Sequence, residues 1–185
     1  MNTLTINEHF FRTHAPVGGF CIDATAGNGH DTAALCSLVG KGGKVLAFDI
    51  QPEAVENTKT RLQEAGFGET GRVILDSHAN MAKYAEAGTV DLIVFNLGWL
   101  PGGDHSVFTR AESTIPAVEA GLELLKDGGA MSISVYYGGR NGCGERDALL
   151  SYLKTLDNTR FTVLKTEFHN RTGNVPISIF IFKSV

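Results

Sequence analysis

Cys21-Ile22-Asp23-Ala24-Thr25-Ala26-Gly27-Asn28-Gly29-His30-Asp31-Thr32 is the stretch on which the fold of this 185-residue chain turns. Its apolar start, from Phe20 to Ala24, predicts a buried strand, and Thr32-Ala33-Ala34-Leu35 predicts a helix. Between them lies a turn with two glycines, Gly27 and Gly29, where backbone can approach a ligand with N–H groups turned outward. The next apolar run, Lys44-Val45-Leu46-Ala47-Phe48-Asp49, ends on a carboxylate 22 positions after Gly27. That spacing suits an acid accepting hydrogen bonds from both hydroxyls of a nucleoside ribose. The expectation is a nucleoside-cofactor site.

Two cofactor classes and a bare turn compete for this loop. A dinucleotide fingerprint requires a third glycine where this chain has Thr32. Asp23, four positions ahead of Gly27, would repel a pyrophosphate but suits a cation such as the α-ammonium of S-adenosylmethionine. The residues therefore favour methyl-donor binding over dinucleotide binding, with a ligand-free strand–helix turn as the third reading.

On either side of the loop the pattern repeats. Residues 3–14 predict a short helix with Leu4, Phe10 and Phe11 offering apolar contact. Further strands are expected at 72–75, 90–95 and 130–136, and helices at 52–66, 79–86, 113–125 and 145–156. Two closing strands, 160–168 and 176–182, are joined by Asn170-Arg171-Thr172-Gly173-Asn174, a connection short enough only for an antiparallel pair. The fold expected is α/β: a doubly wound, Rossmann-like, mostly parallel sheet of seven strands with a C-terminal antiparallel hairpin, residues 1–185 forming one domain. Such sheets bind ligands at the carboxyl ends of their strands, where Asp23, Asp49, Ser77, His78 and Asn96 all fall.

Bulk properties narrow the partners. A net charge of −4 argues against wrapping long duplexes and leaves room for a local patch that takes one stem-loop. Three cysteines without close pairing read as reduced thiols, and six histidines lack metal-ligand spacing, so no metal is expected. No run approaches the roughly 18 apolar residues of a membrane span, and 1–14 carries no signal-peptide pattern, so no membrane partner and a cytoplasmic location are expected.

The loop Asp23 to Gly29, Asp49, and Asp76-Ser77-His78 resemble the first three motifs of class I S-adenosylmethionine-dependent methyltransferases. The segment Asn96-Leu97-Gly98-Trp99-Leu100-Pro101-Gly102-Gly103-Asp104-His105 resembles, more narrowly, a bacterial family first labelled rRNA methylases. Members of that family methylate the aminomethyl group of 5-aminomethyl-2-thiouridine at the tRNA wobble position. The resemblance covers essentially the whole chain. It implies the cofactor S-adenosyl-L-methionine, a tRNA anticodon stem-loop as substrate, and a second copy of the chain as a candidate partner. Methylation of an rRNA base or protein amide, a non-catalytic cofactor-binding module, and an oxidoreductase are the competing functions.

The site residues follow. Asp49 is expected to hold the ribose with Gln51 beside it, and Ser77 and His78 to read the adenine edge. Gly27, Asn28 and Gly29 should line the methionine part with Asp23 at its ammonium, and Ala24 and Asp31 complete the cofactor set. Asn96-Leu97-Gly98-Trp99 resembles the Asn-Pro-Pro-aromatic motif of enzymes that alkylate an amino nitrogen, with Leu97-Gly98 in place of the prolines. The Asn96 oxygen can accept N–H bonds and aim the nitrogen lone pair, and Trp99 offers a stacking face. The bland readings are a backbone-capping Asn96, a packing Trp99 and a helix-start His78. An aliphatic amine has a pKa of about 10 and must lose a proton first, with Asp104 or His105 as the acceptor. Tyr136 and Tyr137 could flank the acceptor, and Lys83, Arg110, Arg140 and Arg146 are candidates for RNA backbone contact.

Overall fold

The structure is a computed structural model that describes residues 2–100, 102, 108–138 and 142–185. Asp104, His105 and Arg140 lie outside the described residues. The strands are β1 (Phe20–Asp23), β2 (Lys44–Asp49), β3 (Gly71–Leu75), β4 (Val90–Leu97), β5 (Leu125–Val135), β6 (Phe161–Thr166) and β7 (Ile177–Lys183). The helices are α1 (Thr3–His14), α2 (His30–Val39), α3 (Pro52–Glu64), α4 (Ala111–Leu124) and α5 (Gly142–Leu153), with a 3-10 helix over His78–Lys83.

Seven strands form one sheet in the order β3-β2-β1-β4-β5-β7-β6. The first five pair in parallel, and β7 runs antiparallel between β5 and β6. Because side chains alternate across each strand, Ile22, Leu46, Ile93 and Phe95 face α4, α5 and the 3-10 helix. Cys21, Val45, Leu92 and Val94 face α1, α2 and α3. Coverage on both faces explains why β4 reads as a continuous apolar run. The strand order reverses between β1 and β4, and their carboxyl ends leave a crevice there.

Most boundaries shift by one to three residues from expectation, and three differences have a local reason. The helix expected at 79–86 is a tighter 3-10 turn, because Asp76 ties down both Asn80 Nδ2 (2.7 Å) and Tyr84 OH (2.9 Å). Helix α5 stops at Leu153, where the backbone N–H and hydroxyl of Thr155 both donate to the Tyr152 carbonyl. Strand β5 begins five residues early, because Lys126-Asp127-Gly128-Gly129 joins the sheet as an irregular start, with a register shift against β4.

Candidate active site

The carboxyl ends of β1 to β5 enclose a cavity of about 920 Å³. Its first half is built on the glycine loop. Gly27 adopts a left-handed conformation (φ +52°), and its N–H donates to Asp49 Oδ2 at 2.9 Å. The Gln51 N–H donates to Asp49 Oδ1, also at 2.9 Å. The Gly27 N–H, expected to face a ligand, is thus taken by the carboxylate that ends β2. A carboxylate offers about four acceptor sites, so Asp49 retains capacity on the cavity wall that it lines. Beside it Ile50 lines the same wall with 59% exposure, an apolar face suited to a base.

Helix α3 braces the loop from behind. Thr58 Oγ1 donates to the Gly27 carbonyl (3.0 Å), Arg61 Nε to the Asn28 carbonyl (2.7 Å) and Asn57 Nδ2 to Asn28 Oδ1 (3.1 Å). Gly29 (φ +75°) is not on the cavity wall, and a Cβ there would sit 2.9 Å from Thr58 Cα. Its role is close packing of loop on helix, which only glycine permits.

Asp23 is fully buried and is not among the lining residues. The Thr25 N–H donates to its Oδ1 (3.1 Å), and the Thr32 hydroxyl donates to its Oδ2 (2.6 Å). Burial, with Asp31 nearby, pushes its carboxyl up to about 7. Asp23 therefore holds the loop to α2 from beneath, and the acid that reaches the wall is Asp31. Ala24, Asn28, Gln51, Ser77 and His78 line the cavity as well. His78 is buried with Nδ1 3.1 Å from the Ala24 carbonyl. Burial lowers its pKa, so the neutral ring donates from Nδ1 to that carbonyl.

The second half of the cavity is organised around Asn96. Its N–H donates to Thr25 Oγ1 at 2.7 Å, and its side-chain Nδ2 donates to Asp31 Oδ2 at 2.8 Å. The carboxamide orientation is thereby fixed, leaving Oδ1 as its unspent acceptor. Burial raises the Asp31 carboxyl above the usual carboxylate range. Beyond Asn96 the chain leaves the sheet and returns. Gly98 and Thr109 pair (Thr109 N–H to Gly98 O, 2.9 Å; Gly98 N–H to Thr109 Oγ1, 2.9 Å), and Trp99 bridges Phe108. Trp99, Phe108, Tyr136 and Tyr137 all line the cavity.

Two features were missed from sequence. Helix α1 contributes Asn7, Glu8 and Phe11 to the wall, anchored where Asn7 Nδ2 donates to Ser134 Oγ (2.6 Å) and Ser178 Oγ donates to Asn7 Oδ1 (3.3 Å). Asn7 and Phe11, four apart on one helix face, are the signal that could have placed it. Glu145 of α5 is buried and accepts from the hydroxyls of Thr114 (2.6 Å) and Thr109 (2.8 Å), clamping the base of the excursion after β4.

The wall carries four acids, Glu8, Asp31, Asp49 and Asp76, and among the described residues no lysine or arginine. A pyrophosphate would meet Asp31 in the first turn of α2, and Thr32, where the dinucleotide fingerprint has glycine, is buried against Asp23. A cationic methionine nucleoside fits instead: spare acceptors on Asp49 for a ribose, Ile50 for a base, and acids for an ammonium.

Residues 45–182 match the family model described as "Putative rRNA methylase". The chain is 37% identical over 175 residues to the chloroplastic tRNA (mnm(5)s(2)U34)-methyltransferase of Arabidopsis thaliana, covering 90% of this chain and 64% of that protein's length. A crystal structure from Clostridium thermocellum, named in the same words as the family, superposes with a TM-score of 0.96 at 41% identity, covering 99% of this chain and 98% of the other. A Streptococcus mutans "putative methyltransferase" in complex with SAH superposes at 0.89 with 35% identity, covering 99% and 98%.

Proposed function

The chain belongs to this rRNA methylase family and has the class I methyltransferase fold, and from that premise we propose that it is an S-adenosylmethionine-dependent N-methyltransferase acting on the aminomethyl group of 5-aminomethyl-2-thiouridine at the tRNA wobble position. The observation that carries the reading is the acid-lined cavity in which Asp31 fixes the Asn96 carboxamide. The activity named for the Arabidopsis relative supports it.

Bound in the first half of the cavity, S-adenosylmethionine supplies an electrophilic methyl group on its sulfonium. Asp49 would hold the ribose, Ile50 and His78 the adenine side, and Gly27 and Asn28 the methionine side.

The acceptor arrives as an ammonium with a pKa of about 10. Glu8 and Asp31 attract it, and Asn96 Oδ1 accepts one of its N–H bonds. Asp31, whose burial makes it a stronger base than an ordinary carboxylate, takes one proton. The nitrogen is left with a lone pair, and Asn96 Oδ1 holds its direction. Neutral acceptors such as ring nitrogens and amides gain nothing from this charge, which favours an amine over an rRNA base or a protein amide.

Labelled donor incubated with total tRNA from a deletion strain tests the reading. Nucleoside mass spectrometry should show conversion of the aminomethyl nucleoside to its N-methyl form. Label in rRNA or protein alone would overturn it.

A further inference from the structure

Within the proposed reaction the cavity poses an electrostatic problem. Its wall is acidic, yet the proposed substrate is a polyanion. One nucleoside can enter, but its flanking phosphates must be held outside the acidic wall. Two arginines stand where this could happen. The Arg110 guanidinium lies 4.8 Å from the centre of the Phe108 ring, and that of Arg146 lies 4.5 Å from the Tyr137 ring. Both rings line the cavity, while neither arginine does. Each cation is therefore fixed against an aromatic wall residue and displaced from the acids within.

We propose that Arg110 and Arg146 form the RNA docking rim, each gripping a backbone phosphate beside the nucleotide that enters the cavity. The proposal rests on the methyltransferase reading and adds the face on which the RNA lies. Stacking orders the guanidinium while leaving its N–H edge for phosphate oxygens. Arg110 is exposed, on the segment returning from the excursion after β4, and Arg146 is in the first turns of α5. They thus flank the acceptor half from two elements. Arg146 also carries its own competitor: Nε and Nη2 both donate to Asp147 Oδ1 at 2.8 Å. Asp147 is 64% exposed, and such surface pairs are weak enough to exchange for a phosphate.

That competitor makes the test two-sided. The probe is an anticodon stem-loop carrying 5-aminomethyl-2-thiouridine, with affinity read by fluorescence anisotropy from 50 to 200 mM salt. Arg110→Glu and Arg146→Glu should each weaken binding about five- to tenfold and reduce the slope of log affinity against log salt by about 0.7–0.9. Asp147→Asn should tighten binding and steepen the slope. Lys41→Glu, in the turn before β2 at the other end of the sheet, should change neither. S-adenosylmethionine affinity, read by calorimetry, should hold in all four variants. Charge reversals that leave RNA affinity and salt slope unchanged overturn the rim while the methyltransferase reading stands, as does a fall in turnover alone. A wild-type chain that binds the donor but neither binds nor methylates the RNA overturns both.

Discussion

Replacing Glu145 by alanine should separate cofactor binding from methyl transfer. Glu145 accepts hydrogen bonds of 2.6 and 2.8 Å from Thr114 and Thr109, and Thr109 Oγ1 accepts the Gly98 N–H at 2.9 Å. Hydrogen bonds to a charged group are worth about 1.5–3 kcal/mol each. Burial raises the Glu145 carboxyl above its usual range, so part of that gain already offsets desolvation. A net loss of about 2–4 kcal/mol in unfolding free energy is expected, read by urea denaturation. The functional effect is larger than the stability change implies. Without the carboxylate, the Thr109 hydroxyl is free to turn from Gly98, and the Trp99–Phe108 bridge loses its base. Misplacement on the scale of 1 Å costs on the order of 10²-fold in rate. Single-turnover methylation should therefore slow about 10- to 100-fold, while calorimetric donor affinity stays within about twofold, because Glu145 is not on the cavity wall. Glu145→Gln should recover most of the rate, since an amide can accept from one threonine and donate to the other. Thr109→Val should reproduce the slow transfer with a smaller stability loss. Glu145→Ala with wild-type single-turnover rate, measured well below its melting temperature, would refute the clamp.

Asp49→Ala should weaken donor binding by about 3–5 kcal/mol in calorimetry, since two charge-assisted bonds to the ribose are lost; unchanged affinity would remove Asp49 from the site. Asp31→Asn should slow turnover at neutral pH by about 10²–10⁴-fold and leave a rate that keeps climbing toward the amine's own pKa. An unaltered pH profile would exclude Asp31 as proton acceptor. Asp23→Asn should gain stability relative to wild type as pH rises. The native carboxyl titrates at about 7 against an ordinary 3.8, so its proton-linked stability is full below about pH 4 and is lost as pH climbs through 7. The gap in unfolding free energy between variant and parent should open between about pH 4 and 7 toward a ceiling of about 4 kcal/mol, and parallel curves would show that Asp23 carries no such cost.

The sheet was legible because its signals are local. Apolar runs set the strands, glycines and Pro52 set the turns, and the short Asn170–Asn174 link forced the antiparallel end. The placement of strand-end residues was legible for the same reason: Asp49, Ser77, His78 and Asn96 each lie at or just beyond the carboxyl end of a strand and line the cavity. What escaped depends on direction and on distant partners. Asp23 ends β1, and whether its side chain meets the cavity or the underside of α2 depends on one step of a two-residue alternation. The hydrogen-bonded pair on the cavity wall, Asp31 with Asn96, joins residues 65 positions apart. The clamp on Thr109 comes from α5, 36 positions later. Helix α1 was read for apolar contact through Leu4, Phe10 and Phe11, and Phe10 does stack on Phe180 at 4.3 Å. An adjacent stripe of the same helix, Leu4, Asn7, Glu8 and Phe11, lines the cavity, and hydrophobic periodicity does not distinguish burial against a sheet from burial around a ligand space.

The same limit applies to charge. A net value of −4 says nothing of sorting. The four wall acids come from α1, α2 and the ends of β2 and β3, and the arginines stacked on wall aromatics come from the segments that follow β4 and β5. Each element alone is an ordinary mixed-charge surface. Only the strand order β3-β2-β1-β4-β5 gathers the acids into one recess and sets the cations against aromatics of its wall. On the proposed function, an acidic protein takes a polyanionic substrate because the recess would select a single cationic amine while the phosphates meet positive charge outside it.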